Sequence, residues 1–287
     1  MINIFYNTDE ARLRAMWRIM ITTILVISLV VAWALFFQTQ FWITLGLGFI
    51  VPLILWVVSK WIERRHFHEF GLFTNRVWIR DFIGGCIMAA FVMTGILLFL
   101  LSFGYAEITG TANLWETPSL ITALFQSLLL MTAVSVWEEA YFRGYLITNI
   151  REGFHTKSIN RKTATVIAII LSSIIFGFAH SGNPNASLFA VINIILAGVV
   201  FAFPYIKTKS LGISVGMHLS WNYFQGVVFG MPVSGLHMSE SFAETKLSGS
   251  DLITGGQFGP EGGAAGFFGL LMLAAVCHLY LALFYKK

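Results

Sequence analysis

Charged residues are scarce in this chain. Asp, Glu, Lys and Arg make up 11% of its 287 residues, whereas hydrophobic residues make up 57%. Soluble domains average about 25% charged residues, so the composition excludes an ordinary soluble domain. It predicts an integral membrane protein that crosses the bilayer several times.

Cysteine is nearly absent as well. The two that occur, Cys86 and Cys277, both lie in apolar runs. A free cysteine in such surroundings behaves as a small buried hydrophobe, and no spacing typical of a metal site is present. We therefore expect neither a disulfide nor a cysteine-ligated metal.

Long apolar runs, in contrast, are abundant. A spanning helix needs about 20 mostly apolar residues, and the runs predict an all-α polytopic transmembrane helical bundle. The first run is too long for a signal peptide and no small-residue cleavage site follows it, so we expect it to remain as an anchor. About eight spans are predicted, at residues 16–37, 41–59, 82–103, 119–147, 163–180, 186–205, 211–230 and 263–285.

The basic residues predict the orientation, because cytoplasmic loops of membrane proteins are rich in Lys and Arg. If the N-terminus is cytoplasmic, every Lys and Arg except Arg143 and Lys246 falls in an inward segment, including the terminal Lys286 and Lys287. We therefore expect both termini in the cytoplasm and the protein in a bacterial cytoplasmic membrane. The basic segments meet anionic headgroups, and no basic stripe indicates a nucleic-acid partner. The outward loops hold the acidic residues Glu107, Glu116, Glu240, Glu244, Asp251 and Glu261.

These spans divide the chain into three parts. Residues 1–118 hold the first three spans, residues 119–230 hold spans four to seven, and residues 231–287 hold an outer loop and the last span. The loop at 231–262 ends in a glycine-rich stretch, GGQFGPEGG. We expect a mobile outer loop there, with a lid over a site as the alternative.

Ionisable residues inside spans are the exception to the apolar pattern. Each costs about 2.5–3.5 kcal/mol on insertion scales, which makes it a candidate for function. Glu139 and Arg143 are four residues apart in the order that favours a helical ion pair, so we expect Arg143 to neutralise Glu139. Glu138 lies about 100° away around the helix and stays free. The candidates are Glu138, Glu139, Arg143, His180 and His218, with Asn222 as a neutral addition.

Glu, two His and Asn on three separate spans suit the activation and positioning of water. Glu138, His180 and His218 also suit a zinc site, although no HExxH motif is present. A simpler interpretation is an ion network that only holds helices together. Counting residues from the nearest inward charge puts Glu138, His180 and His218 about 20, 27 and 14 Å deep, so they meet only if helices tilt or break.

Three motifs appear in order on successive spans: Glu-Glu-x-x-x-Arg at 138–143, Phe-x-x-x-His at 176–180 and His-x-x-x-Asn at 218–222. Together they resemble the motifs of the CPBP family, the CAAX-protease and bacteriocin-processing (Abi) intramembrane proteases. The resemblance covers residues 119–230.

The resemblance implies that Glu138 and His180 activate a water molecule, that His218 and Asn222 stabilise the oxyanion, and that Glu139 and Arg143 support them. It also implies a membrane-associated protein or peptide as substrate and hydrolysis without a metal cofactor, with zinc held by Glu138, His180 and His218 as the alternative. Two other functions stay open: a proton-coupled transporter, and a non-catalytic scaffold or bacteriocin-immunity factor on the same fold.

The orientation is testable with reporter fusions along the chain. We expect cytoplasmic reporters to be active near residues 70 and 155, and external reporters near residues 110 and 245, because the basic residues are retained in the cytoplasm. An external reporter that is active at 155 contradicts the assignment.

Overall fold

The computed structural model describes residues 4–8, 10–112, 118–238 and 240–285, and side chains of the fourth long helix from Leu120 onward. Glu116, Lys286 and Lys287, on which part of the predicted orientation depends, lie outside these ranges. The described chain is an all-α bundle with two short two-stranded antiparallel sheets. This confirms the predicted fold class.

Ten α-helices, four short strands and several 3₁₀ or π segments make up the described chain. The helices are α1 Ala15–Phe36, α2 Gln40–Trp61, α3 Arg76–Ser102, α4 Pro118–Glu138, α5 Thr148–Phe154, α6 Arg161–Ala179, α7 Leu188–Thr208, α8 Gly212–Tyr223, α9 Asp251–Thr254 and α10 Ala264–Phe284. The strands are β1 Tyr6–Asn7, β2 Arg12–Leu13, β3 Ala106–Thr111 and β4 Ala243–Leu247.

Seven helices among the described residues are long and apolar enough to cross a membrane. Six of them are α1, α2, α3, α6, α7 and α10. The seventh is the continuous helix Leu120–Phe154, which includes α4 and α5. The fourth helix runs beyond its predicted end at residue 147, because the polar turns after the apolar core continue the same helix. The apolar pattern marks the membrane-buried part of a helix and leaves its ends undetermined.

The predicted span at 211–230 differs most from expectation. Helix α8 has 12 residues and continues as a five-residue π-helical segment, Phe224–Val228. Every residue of α8 from Gly212 to Asn222 is buried, and the helix is not among the seven long apolar ones. Hydropathy cannot distinguish a helix that faces lipid from one that is enclosed by other helices, so the predicted count of eight spans is not confirmed.

Glycines bring α8 against α3. A Cβ atom on Gly85 would lie 2.4 Å from the Ile213 carbonyl oxygen, and one on Gly216 would lie 2.1 Å from the Phe82 carbonyl oxygen. Such distances leave no room for a side chain, so the two backbones are in direct contact. Small residues allow helices to pack this closely inside membranes. The crossing fixes the position of α8, which carries His218 and Asn222.

Segments predicted to share one side of the membrane contact each other. At one end, Arg12, Arg18 and Arg65 form ion pairs with Glu63 and Glu152, which joins the N-terminal hairpin, the turn after α2 and the end of α5. Arg18 is 1% exposed. At the other end, β3 pairs with β4. These contacts agree with the predicted grouping of loops, and the direction across the membrane stays a prediction.

The segment 231–263, which covers the predicted outer loop, is structured along its described residues 231–238 and 240–263. It contains β4, α9 and the 3₁₀ turns Gly256–Phe258 and Pro260–Gly262. Phe258, Pro260, Glu261 and Gly262 are buried. The segment packs because glycines permit turns that other residues resist: Gly259 has φ +99°, and a Cβ there would lie 2.0 Å from the Pro232 carbonyl oxygen.

The α3–α8 crossing predicts that alanine substitution at two glycines of α3 changes the stability of the folded protein differently. Gly85→Ala inserts a methyl group against the α8 backbone, and we expect it to destabilise the folded protein by about 1–3 kcal/mol. Gly95→Ala meets only the flexible end of Met272 at 3.4 Å and should be neutral or slightly stabilising, since alanine is the better helix former. Thermal unfolding of the detergent-solubilised protein measures both, and equal effects would contradict the proposed close contact.

Candidate active site

A π-helical segment, Glu139–Ile147, begins at the second glutamate of the pair and lies between α4 and α5. All nine of its residues are buried. Gly144 lets this segment approach the turn after α2, since a Cβ there would lie 2.5 Å from the Phe70 carbonyl oxygen. Wide helical turns of this kind occur frequently at functional sites, and here one sets the directions of Glu139 and Arg143.

Glu139 is the centre of the buried ion network. Its Oε1 lies 3.0 Å from Arg143 Nη1 and 2.8 Å from His218 Nδ1. Glu139 is completely buried and Arg143 is 1% exposed. The predicted pairing of Glu139 with Arg143 is therefore present. Glu139 also binds His218 across helices, which the linear sequence does not reveal.

Two aromatic rings cover the guanidinium of Arg143. Its centre lies 4.1 Å from the centroid of the Phe176 ring and 5.5 Å from that of Phe201. A cation over an aromatic face is stabilised electrostatically. The rings compensate part of the cost of burying the charge and keep Arg143 directed at Glu139.

Glu138 is nearly as buried, at 7% exposure, but it is bonded differently. Its Oε2 lies 3.8 Å from His218 Nε2, which is beyond hydrogen-bond distance. No side chain or backbone group of the described residues donates a hydrogen bond to Oε2. Glu138 therefore keeps an acceptor oxygen available in an enclosed site.

His180 terminates α6 and binds its own helix. Its Nδ1 lies 2.8 Å from the Phe176 carbonyl oxygen. A carbonyl oxygen only accepts hydrogen bonds, so Nδ1 carries the proton, and Nε2 in the neutral ring is an acceptor. The contact fixes both the orientation and the tautomer of the ring.

The four predicted catalytic residues line one cavity of about 330 Å³: Glu138, His180, His218 and Asn222. His218 and Asn222 lie one turn apart on α8 and are 5% and 9% exposed. The unequal depths counted from the sequence do not keep them apart. That count assumed straight helices rising from the membrane surface, whereas α8 is a short helix enclosed by the bundle.

The zinc alternative has mixed support from the donor set. His218 donates Nδ1–H to a carboxylate, as metal-ligating histidines commonly do. However, no group of three His, Cys, Asp or Glu side chains in the described part of the chain is arranged to hold a metal ion. The donors thus do not form a tetrahedral zinc site, and zinc is assigned no step below.

Glu261 is a cavity residue that the sequence analysis missed. It lines the same cavity as the four predicted residues and is 5% exposed. The sequence places it in an outer glycine-rich loop, whereas the structure folds that loop inward. The sequence feature that could have indicated it is its position. It is a single carboxylate in a glycine-rich stretch, directly before the last predicted span.

Comparison with known proteins agrees with the motif pattern. Residues 118–224 match the family described as Type II CAAX prenyl endopeptidase Rce1-like, and all six predicted site residues fall within this range. The match confirms the predicted resemblance to the CPBP family of CAAX-protease-like membrane hydrolases. No curated protein and no solved structure matches the chain.

The two adjacent glutamates should differ in their effect on stability. Glu139→Gln removes the carboxylate paired with the buried Arg143, so we expect a loss of about 3 kcal/mol or more in the free energy of unfolding. Glu138→Gln removes no hydrogen bond to Oε2 and should leave the stability unchanged or raised. Thermal unfolding of both variants at matched detergent concentration makes the comparison, and equal losses would contradict the different environments.

Proposed function

We propose that the chain is an intramembrane endopeptidase that hydrolyses a peptide bond in a membrane-associated protein or peptide, using water activated by Glu138 and His180. The observation that supports this most is the convergence of the four residues on one cavity. The family match supports the same reaction class. The proposed location is a bacterial cytoplasmic membrane, in keeping with the seven long apolar helices.

Proton transfer begins at Glu138. Its Oε2 receives no hydrogen bond from a described protein group, so it can accept one from water. His180 Nε2, an acceptor in the neutral ring, accepts a hydrogen bond from the second hydrogen of that water. This contact orients the water oxygen toward the substrate. A carboxylate that accepts a hydrogen bond from the attacking water is placed to act as its general base.

Two residues of α8 then stabilise the tetrahedral intermediate. Asn222 offers an amide N–H, and His218 offers Nε2–H when both ring nitrogens are protonated. The contact of His218 Nδ1 with the Glu139 carboxylate orients the ring, with Nε2 on the side of Glu138. Donors that are already in place for a developing oxyanion are often the largest single contribution to catalysis.

The reaction closes with the same carboxyl group. As water adds to the carbonyl carbon, its proton moves to Glu138. Collapse of the intermediate breaks the C–N bond, and Glu138 returns that proton to the leaving nitrogen. The products are a carboxylic acid and an amine, so the cycle consumes one water and needs no further reactant.

Substitution of the proposed base gives the direct test of activity. We expect Glu138→Gln to abolish peptide hydrolysis and Asn222→Ala to lower kcat by about 100- to 1,000-fold, as the loss of one oxyanion donor does elsewhere. Glu244→Gln, at an exposed glutamate of β4, is the matched control and should retain full activity. Measurable turnover by a purified, folded Glu138→Gln variant would refute the proposed role.

The metal question is settled by chelation of the purified enzyme. We expect activity to survive a zinc-specific chelator, with metal content measured on the same samples, because the proposed proton path uses only side chains. Loss of activity that returns on stoichiometric zinc would restore the zinc alternative.

A further inference from the structure

Glu261 is held in the cavity wall by a dedicated set of contacts. Its Oε1 accepts hydrogen bonds from the backbone N–H and the hydroxyl of Ser234, the latter at 2.6 Å, and its Oε2 accepts one from Trp221 Nε1 at 3.3 Å. Asn193 of α7 fixes the backbone by donating to the carbonyls of Glu261 and Gly263, at 2.9 and 3.0 Å. These contacts fix the position of the carboxylate in the cavity wall.

The charges around the cavity are not balanced. Its ionisable lining consists of Glu138, Glu261, His180 and His218, and no Lys or Arg is among the described lining residues. Arg143, the nearest buried cation, is engaged by Glu139 and covered by aromatic rings. Glu261 shares this cavity with Glu138 and His180. The cavity thus carries two carboxylates and no cation that is free to receive a third.

This imbalance matters for the position of the cleaved bond. When the cleaved bond lies three residues before a free C-terminus, the substrate's terminal carboxylate is about 10 Å from the scissile carbonyl, at roughly 3.3–3.6 Å per residue. In an enclosed, low-dielectric site, charges at this separation are screened far less than in water. Both histidines are committed to the water and the oxyanion in the proposed mechanism, so neither is available to pair with this carboxylate.

We propose that Glu261 is a specificity-determining residue that excludes a free C-terminal carboxylate, so that the cavity accepts internal or amidated peptide segments. The inference rests on the proposed peptidase function. Neutral or cationic residues are expected on the leaving side of the scissile bond, and a membrane polypeptide cleaved away from its end fits this requirement.

The test compares pairs of short apolar quenched peptides that differ only at the C-terminus, one amidated and one with a free carboxylate three residues after the cleaved bond. At about pH 8 we expect the wild type to cleave the amide with a kcat/KM roughly tenfold or more above that of the acid. Glu261→Gln should bring this ratio close to one, whatever its absolute activity. Glu244→Gln should keep the wild-type ratio.

Acidification gives a second readout that needs no variant. Burial raises the pKa of the Glu261 carboxyl, against the pull of its three donors, so its charge is lost at a higher pH than that of an exposed glutamate. The repulsion between Glu261 and the peptide carboxylate is present above this pKa and disappears as the pH falls through it. The ratio of kcat/KM for the amide to kcat/KM for the acid should therefore decline on acidification. Glu138 and His180 face Glu261 and titrate as well, but both peptides use them, so their effects largely cancel in the ratio.

The outcomes separate the two proposals. A wild type that cleaves the acid as well as the amide, or a folded Glu261→Gln variant with an unchanged ratio, overturns the role of Glu261. If Glu261→Gln fails to fold, the wild-type ratio and its pH dependence decide. If no peptide is cleaved, the peptidase proposal fails, and if cleavage survives Glu138→Gln, the proposed role of Glu138 fails. Displacement of a fluorescent peptide amide from the wild type by the two peptide forms then tests the charge preference, and equal displacement overturns it.

Discussion

The carboxylate of Glu139 is the interaction on which the site depends. It binds Arg143 within its own helix and His218 on α8, so it joins the two helices that carry the proposed base and the proposed oxyanion donors. All three side chains are almost completely buried. A buried charge without a partner is strongly destabilising, and this penalty holds the three groups in one arrangement.

The surrounding elements restrict the remaining freedom. Phe176 covers Arg143 with its ring and orients His180 with its carbonyl oxygen, so one residue serves two site members. Glycines of α3 and α8 let the two backbones touch, and the folded segment 231–263 contributes Glu261 to the cavity. Within this frame Glu138 Oε2 has no protein donor among the described residues, and unlike Glu139 the residue has no hydrogen-bonded histidine or arginine at 3.0 Å or less.

Rare polar residues in apolar spans made the site predictable in part. Glu138, His180, His218 and Asn222 stand out because each costs free energy in a bilayer, and the structure brings them to one cavity. Glu261 did not stand out, since a carboxylate in a glycine-rich loop is ordinary in sequence. The sequence also did not predict that α8 is short and enclosed, or that His218 contacts Glu139. Hydropathy reports composition and does not indicate which helices become neighbours.

High-resolution cryo-EM density of the protein in lipid nanodiscs tests the central claim most directly. The account predicts one ordered water within about 3 Å of both Glu138 Oε2 and His180 Nε2, with His218 Nδ1 bound to Glu139. Metal density bridging Glu138 and the histidines, or a His180 ring directed out of the cavity, would contradict it.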